Sequence, residues 1–345
     1  MSSPARTTVL SVEDLVVTYG GRRDPLRAVD GVSLGVRRGE TLGIIGESGS
    51  GKSTLAAAIA GLTPVTSGRI RIADADGAPV DVPATVGRSG RVQMIFQDPM
   101  LALSPSLPVW RSVAEPLAPR SLRVPGRFRA RAVELLGRVG LGPELAERRP
   151  AQLSGGQRQR VTIARAVAAS APVVMCDEPV AALDISLQAG VLRLLDEMRA
   201  EHDLTYLFIS HDMTSIARLA DQVGVMYLGR LVEVGPVRAV LGEPRHPYTQ
   251  ALISAVPSVA RAGRAGERTL LSGEIPDARR PPSGCRFRTR CPFAQPLCAR
   301  EAPVLSAAGT DSTDSTDSTD STGEHRTACH FWPRIRDDRA ASTAA

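Results

Sequence analysis

The sequence predicts an α/β fold with a mostly parallel, doubly wound sheet between about residues 9 and 257. Four runs of strand length are apolar at almost every position, which is typical of parallel strands covered on both faces. Two of these runs are followed by segments with apolar residues at i, i+3 and i+4, the pattern of an amphipathic helix. The runs lie at 41–46, 91–96, 173–178 and 205–210, and the helical segments at 52–62 and 186–202.

The composition narrows the class of protein. Hydrophobic residues make up 43% of the 345 positions, enough to fill a core. No apolar run approaches the roughly 18 to 20 residues that span a bilayer, and the amino terminus shows no apolar targeting segment. The net charge of +6 comes from scattered arginines, and only 3% of the residues are aromatic. We therefore expect no nucleic-acid partner.

A phosphate-binding loop is predicted at GESGSGKST, residues 46–54, which fits the pattern G-x-x-x-x-G-K-[ST]. The segment follows an apolar strand and opens a helix, so its backbone N–H groups and the helix N-terminus can hold ATP phosphates. Lys52, the only lysine in the chain, is expected to reach the β- and γ-phosphates, and Ser53 to bind Mg²⁺. The candidate nucleotide-binding residues here are Gly46, Glu47, Ser48, Gly49, Ser50, Gly51, Lys52, Ser53 and Thr54.

Two adjacent carboxylates end the third strand, VVMCDE. A buried strand that ends in this way directs them to the carboxyl edge of the sheet, where ligands of such folds bind. Asp177 is therefore a candidate ligand of Mg²⁺, and Glu178 a candidate general base for the attacking water. Cys176, which precedes them, is interpreted as a core residue.

The segment LSGGQ, which begins at Leu153 just upstream of that strand, narrows the prediction further. With it, residues 9–257 resemble the ATP-binding-cassette (ABC) ATPases. The resemblance implies a P-loop NTPase core with an inserted helical subdomain, and proline breaks followed by amphipathic helix place that insertion at about 99–165. It also implies that this segment closes over ATP held by a second ATPase subunit, either a paralogue or another copy. The residues involved would be Ser154, Gly155, Gly156 and Gln157.

The remaining ABC motifs occur in the expected order. By resemblance, Tyr19 would stack on adenine, and Gln97 would sense Mg²⁺ and contact the membrane partner. Asp184 would lie at the dimer interface, and His211 would contact the γ-phosphate. The predicted catalytic residues are thus Glu178, His211 and Gln97, the predicted Mg²⁺ ligands are Ser53, Gln97 and Asp177, and we expect the chain to hydrolyse ATP.

Two longer segments, at 92–110 and 242–257, resemble the ATPases of oligopeptide and dipeptide importers. The resemblance implies a peripheral protein on the cytoplasmic face of the membrane that powers peptide import. Its partners would be two membrane permease subunits, the second ATPase subunit and, indirectly, a solute-binding protein. The run LALSPS departs from the family pattern, so we expect the detailed contact to the permease to differ from that of the family. The alternatives are an importer of nickel or another small solute, or a soluble ABC ATPase that does not act in transport.

The sequence predicts a separate carboxyl-terminal tail at 258–345. The segment is rich in proline, glycine, arginine and serine, and its three-residue repeat at 310–322 is expected to be disordered. By their number, four cysteines suit either Zn²⁺ or a [4Fe-4S] cluster. The resemblance to peptide-importer ATPases implies the cluster, with Zn²⁺ or free thiols as the alternatives. The candidate ligands are Cys285, Cys291, Cys298 and Cys329.

Overall fold

Two β-sheets form the framework of the computed structural model, which describes residues 7–21, 23–74, 76–82, 90–118, 126–255, 273–307 and 324–335. The four runs predicted as buried strands are strands β3, β6, β7 and β8. The strands are β1 Thr8–Tyr19, β2 Leu26–Arg37, β3 Thr41–Ile45, β4 Ser67–Ala73, β5 Pro79–Asp81, β6 Val92–Ile95, β7 Val173–Asp177, β8 Thr205–Ile209, β9 Gln222–Tyr227, β10 Arg230–Pro236, β11 Ser306–Ala307 and β12 Arg326–Thr327.

The larger sheet has the strand order β11-β12-β10-β9-β3-β8-β7-β6. Neighbouring strands from β9 to β6 in this order are parallel. In β8, Leu207 pairs with Leu42 of β3 on one side and with Met175 of β7 on the other. All five residues of β8 are buried. Helices cover both faces of a parallel sheet, so such strands are apolar throughout, which confirms the predicted α/β fold.

The smaller sheet is antiparallel and has the order β2-β1-β4-β5. Val12 and Leu15 of β1 are fully buried and share a core with Ile59 from the helix after the phosphate-loop segment. This sheet therefore packs against α1, the helix that follows the predicted phosphate loop, and helps to place it.

The helices confirm the two predicted after β3 and β7, and three further helices lie within residues 99–169. These three pack on one another through a shared apolar core that includes Val113, Leu136 and Ala164. Within the described ranges, no helix combines the length and apolar character needed to cross a bilayer. The helices are α1 Lys52–Ile59, α2 Val109–Ala114, α3 Arg129–Arg138, α4 Gly155–Ala169, α5 Ile185–His202, α6 Met213–Leu219, α7 Val237–Gly242, α8 Pro247–Ser254 and α9 Pro296–Arg300.

The described part of the tail folds back onto the larger sheet. Strand β12 pairs with β10, where Thr327 lies opposite Glu233 and Arg326 opposite Val234. Phe287 is 1% exposed and belongs to the main core. The sequence predicted an irregular tail and did not indicate these strands, because two-residue strands have no periodic pattern. The repeat at 310–322 lies outside the described residues.

Candidate nucleotide site

The loop between β3 and α1 has a backbone that two of its glycines make possible. Gly46 has φ 154° and Gly51 has φ 103°, values that side-chain-bearing residues rarely adopt. A Cβ atom at Gly46 would lie 2.2 Å from the carbonyl oxygen of Met226, and one at Gly51 would lie 2.1 Å from that of Ala28. The loop therefore packs directly against neighbouring backbone at Gly46 and Gly51, and only glycine fits at these two positions.

Lys52 lies at the first position of α1 with its ammonium group folded into the loop. Its Nζ donates to the carbonyl oxygens of Gly46 at 2.8 Å and Glu47 at 2.9 Å, and to Ser50 Oγ at 3.3 Å. Burial lowers the pKa of Lys52, and the carboxylates of Glu178, Asp177 and Glu47 oppose that shift. The loop thus holds a cation beside backbone N–H groups that can bind an anion.

The two carboxylates at the end of β7 face the loop. Ser53 Oγ donates to Asp177 Oδ1 at 3.3 Å, so the two side chains can share one hard cation such as Mg²⁺. Burial raises the pKa of Asp177, while the Ser53 hydrogen bond and the charge of Lys52 act against that rise. A bound cation would favour the ionised carboxylate further.

Glu178 has an uncommon backbone conformation, with φ 48°. Its N–H donates to the carbonyl oxygen of Ile209, at the end of the neighbouring strand β8, at 2.9 Å. Non-glycine residues in this conformation cluster at functional sites, where surrounding contacts maintain the strain. The side chain of Glu178 accordingly turns towards the loop after β8.

His211 is in that loop, with its Nδ1 3.1 Å from Glu178 Oε1. The next residue, Asp212, caps α6 by accepting from the N–H groups of Thr214 and Ser215 at 3.0 Å each. The cap fixes the chain on the carboxyl side of His211. The histidine is 64% exposed in its side chain, so the pair opens to a space that a ligand can enter.

One cavity of about 610 Å³ joins the loop, Glu178 and His211, whereas Asp177 does not line it. It has room for a nucleotide, and its wall includes the exposed aromatic residue Tyr19 at the end of β1. Glu178 and His211 lie on the same wall as the phosphate loop. The lining residues are Tyr19, Leu26, Arg27, Ala28, Ser48, Gly49, Gly51, Lys52, Ser53, Thr54, Glu178, His211, Leu228, Gly229 and Ala278.

The other predicted residues do not line this cavity. Gln97 follows β6 and is exposed. Ser154 caps α4 in a capping box, in which its Oγ accepts from the Gln157 N–H and the Gln157 side chain accepts from the Ser154 N–H. Asp184 caps α5 by accepting from the N–H of Leu187. The N-terminus of α4 is thus a formed, exposed surface within one chain, available to a ligand held elsewhere.

The sequence interpretation missed several residues that hold or line the site, three of which come from the segments after β10. The hydroxyl of Tyr248 accepts from the Glu47 N–H at 2.8 Å, Arg290 pairs with the Glu47 carboxylate, and Ala278 lines the cavity. Tyr248 belongs to a segment that the resemblance had marked, where residues 246–249 are all buried. Arg290 carries no such signal, because it is one arginine among many in an irregular segment.

The four tail cysteines lie near one another. Cys285 donates its N–H to the carbonyl oxygen of Cys298 at 2.8 Å. Burial, reinforced by the neighbouring thiols, raises the pKa of Cys291 to about 11 and that of Cys329 to about 12. In the described ranges, however, no three His, Cys, Asp or Glu side chains are arranged so that they could hold a metal ion. The iron-sulfur cluster therefore remains a prediction.

Two family models match the chain. Residues 29–181 match the model described as ABC transporter, which spans the phosphate loop and the LSGGQ segment. Residues 232–298 match the model described as oligopeptide/dipeptide transporter, C-terminal region, which reaches Cys298 but not Cys329.

Similar proteins and structures agree with these matches. The oligopeptide transport ATP-binding protein AppF of Bacillus subtilis is 41% identical, over 89% of this chain and 90% of the relative. OppF of Salmonella typhimurium, with the same description, is 45% identical, over 82% and 85%. Among solved structures, cbiO1 from Clostridium perfringens, part of the ABC transporter complex cbiONQ, has a TM-score of 0.58 and 30% identity. It covers 69% of this chain and 92% of its own.

A second solved structure concerns the assembled state. The dimeric post-hydrolysis structure of the ATP-binding cassette MJ0796, bound to ADP and Pi, has a TM-score of 0.56 and 28% identity, and covers 66% of this chain and 99% of its own. Together with the extent of identity to the peptide-transport proteins, these likenesses establish the family. The chain belongs to the ABC ATPases of the oligopeptide and dipeptide transporter family.

Proposed function

We propose that this protein hydrolyses ATP to power the import of peptides through a membrane transporter. The observation that carries the proposal is that the phosphate loop, Glu178 and His211 all open on one cavity. The match of residues 232–298 to the oligopeptide/dipeptide transporter region supports peptides as the cargo. The relatives AppF and OppF are described as oligopeptide transport ATP-binding proteins.

The triphosphate would be bound by the loop at 46–54, with Lys52 beside the β- and γ-phosphates and Tyr19 against the adenine. Ser53 and Asp177 form the hydroxyl and carboxylate pair that fits Mg²⁺. Gln97, the third ligand that the resemblance implies, is exposed after β6 and would have to approach this pair when the ion binds. The bound ion would neutralise charge that develops on the phosphate oxygens. The protein's own contribution is to position the phosphates against the carboxylates at the end of β7.

Hydrolysis requires a base beside the attacking water. The carboxylate of Glu178 would accept a proton from that water as it attacks the γ-phosphate. His211 would hold Glu178 and the water in place through its contact at 3.1 Å, with its other ring nitrogen available to the γ-phosphate. The backbone conformation of Glu178 fixes the direction of the base.

A second ATPase subunit, a paralogue or another copy, would complete the site. The capped N-terminus of α4, with Ser154, Gly155, Gly156 and Gln157, lies outside the chain's own cavity, and its first two residues, Ser154 and Gly155, are exposed. A helix N-terminus of this kind attracts a phosphate held by a partner. Asp184 caps the neighbouring helix α5 and would lie at the same interface.

The proposed organisation has two parts, a nucleotide-binding domain at 1–257 with a helical subdomain at about 99–165, and a tail at 258–345. The helices α2 to α4 and their shared core support the subdomain.

The partners would be two membrane permease subunits at the cytoplasmic face of the membrane, to which the protein binds peripherally. A solute-binding protein would deliver the peptide to the permeases.

We also propose that Cys285, Cys291, Cys298 and Cys329 bind a [4Fe-4S] cluster, with Zn²⁺ as the alternative. The proximity of these four thiols to one another supports a thiolate donor set. The proposal rests on this donor set and on the resemblance to peptide-importer ATPases, because the described conformation does not bring three ligands into a metal-binding arrangement. No step of ATP hydrolysis is routed through the cluster.

Glu178→Gln removes the proposed base while it retains the size of the side chain. We expect the ATPase rate to fall on the order of a thousandfold, while binding of ATP is retained. Peptide uptake into vesicles that contain the permeases and the solute-binding protein should be lost. The matched control is Glu197→Gln, an exposed position on α5. Uptake or hydrolysis at the wild-type rate in the Glu178 variant would remove the residue from this role.

Lys52→Arg tests why the chain's only lysine lies in the loop. The compact ammonium donates to three oxygens in a narrow space, whereas the wider planar guanidinium cannot make the same contacts. We expect kcat/KM for ATP to fall on the order of a hundredfold. Arg193→Lys, the opposite exchange at an exposed site on α5, should have no effect. Normal turnover in Lys52→Arg would refute this explanation.

The metal content of the tail can be measured directly. We expect anaerobically purified protein to absorb in the visible charge-transfer region and to contain about four iron and four sulfide per chain. Cys291→Ser should lower both, whereas Cys176→Ser should lower neither, because Cys176 is fully buried in β7. Colourless protein with stoichiometric zinc would establish the alternative, and protein without either metal would contradict both.

A further inference from the structure

The tail makes a direct ion pair with the phosphate loop. Arg290 donates from Nη1 to Glu47 Oε2 at 2.7 Å and from Nη2 to Glu47 Oε1 at 3.0 Å. Glu47 is the second residue of the loop, and 243 positions separate the two partners. The Arg290 side chain is 6% exposed and that of Glu47 is 23% exposed. The pair is therefore a bidentate contact that is largely removed from water.

The backbone of Glu47 is held as well. Its N–H donates to the hydroxyl of Tyr248 at 2.8 Å. The Tyr248 ring packs against Tyr227 and against Phe287 of the tail, with ring centroids 4.7 and 5.4 Å apart. The guanidinium of Arg290 lies 6.0 Å from the Tyr227 ring centroid. One loop residue is thus anchored through both backbone and side chain, and tail residues contribute to each anchor.

The carboxylate of Glu47 poses an electrostatic problem for a phosphate site. Its negative charge lies in the loop itself, on the residue whose backbone carbonyl oxygen accepts from Lys52 Nζ at 2.9 Å. The same charge opposes a triphosphate in that region, since like charges repel over several ångströms in a partly buried site. Arg290 supplies the compensating charge at hydrogen-bonding distance.

The contact is maintained at a local cost. Arg290 Nε and the Tyr227 hydroxyl are both buried and have no hydrogen-bond partner among the described residues. Buried polar atoms without partners destabilise a fold. The Arg290 side chain therefore makes its two hydrogen bonds to Glu47 while its own Nε and the nearby Tyr227 hydroxyl stay without partners in the described part of the chain.

The tail also follows the other side of the nucleotide cavity. Ala278 lines the cavity, as do Tyr19, Leu26 and Arg27. The next residue, Arg279, forms an ion pair with Asp24. The tail therefore contacts the site at two separate points, one on the cavity wall and one on the phosphate loop.

We propose that Arg290 is a positioning residue for ATP binding, which neutralises Glu47 and holds the phosphate loop so that docking of the tail and occupancy by ATP favour each other. The proposal rests on the proposed ATP-binding function of the loop. The coupling is reciprocal, because a contact that favours bound ATP is itself favoured when ATP binds. The tail thereby acts as part of the nucleotide site.

The direct test is the dissociation constant of Mg-ATP for the full chain. Arg290→Gln leaves Glu47 uncompensated, and we expect the dissociation constant to rise about tenfold. The matched control is Arg288→Gln, two positions away, where the guanidinium donates to the carbonyl oxygen and the hydroxyl of Ser283 in the tail. The control should bind ATP like the wild type. Thermal unfolding of each variant establishes that it is folded.

A double variant separates charge compensation from a merely structural role. Glu47→Gln combined with Arg290→Gln removes both charges, so ATP affinity should return to within about threefold of the wild type. A structural role would leave the double variant as weak as Arg290→Gln or weaker. If Arg290→Gln does not fold, Arg290→Lys replaces it, since it retains the charge without the bidentate geometry. An intermediate affinity is expected for this variant.

The outcomes distinguish the inference from the function on which it rests. If the wild type does not bind ATP, the proposed function is wrong. If the wild type and Arg288→Gln bind ATP and the folded Arg290 variants bind it equally well, the inference is overturned. If the double variant is no tighter than Arg290→Gln, charge compensation is overturned.

Discussion

The candidate site depends on how Glu47 is held. Its backbone N–H is bound by the Tyr248 hydroxyl and its carboxylate by Arg290, so the loop is clamped at its second residue. At Gly46 and Gly51 the neighbouring backbone leaves no room for a side chain, and the Lys52 ammonium group donates to the Gly46 carbonyl oxygen within the loop. The same contacts therefore determine the charge of the loop, its backbone conformation and the position where α1 begins, and they do so without a bound nucleotide.

Much of the fold follows from local sequence. The parallel strands are buried on both faces, so each appears as an uninterrupted apolar run, and the structure places β3 and β8 where those runs lie. The phosphate loop and the Asp177–Glu178 pair are equally local, since each is a short motif attached to the end of a strand. They meet because of the parallel topology, since strand ends of the same polarity share one edge of the sheet: Glu178 lines one cavity with the loop, and Asp177 accepts a hydrogen bond from Ser53.

The contacts that the sequence did not predict are long-range ones. Arg290 and Glu47 are 243 residues apart, and no periodicity or motif links them. Strand β12 exists only by pairing with β10 and has no pattern of its own. Gln97 and Ser154 lie outside the cavity of their own chain, and their predicted roles involve groups that a single chain does not contain. Patterns along the chain indicate local elements well and distant pairing poorly.

Hydrogen exchange in the full-length Glu178→Gln variant, with and without Mg-ATP, tests most directly whether the tail is part of the nucleotide site. If the tail is part of the nucleotide site, ATP should slow the exchange of amides at 285–291 together with those of the loop at 46–54. A slowing confined to the loop, with exchange at 285–291 unchanged, would contradict the coupling between the tail and the phosphate loop.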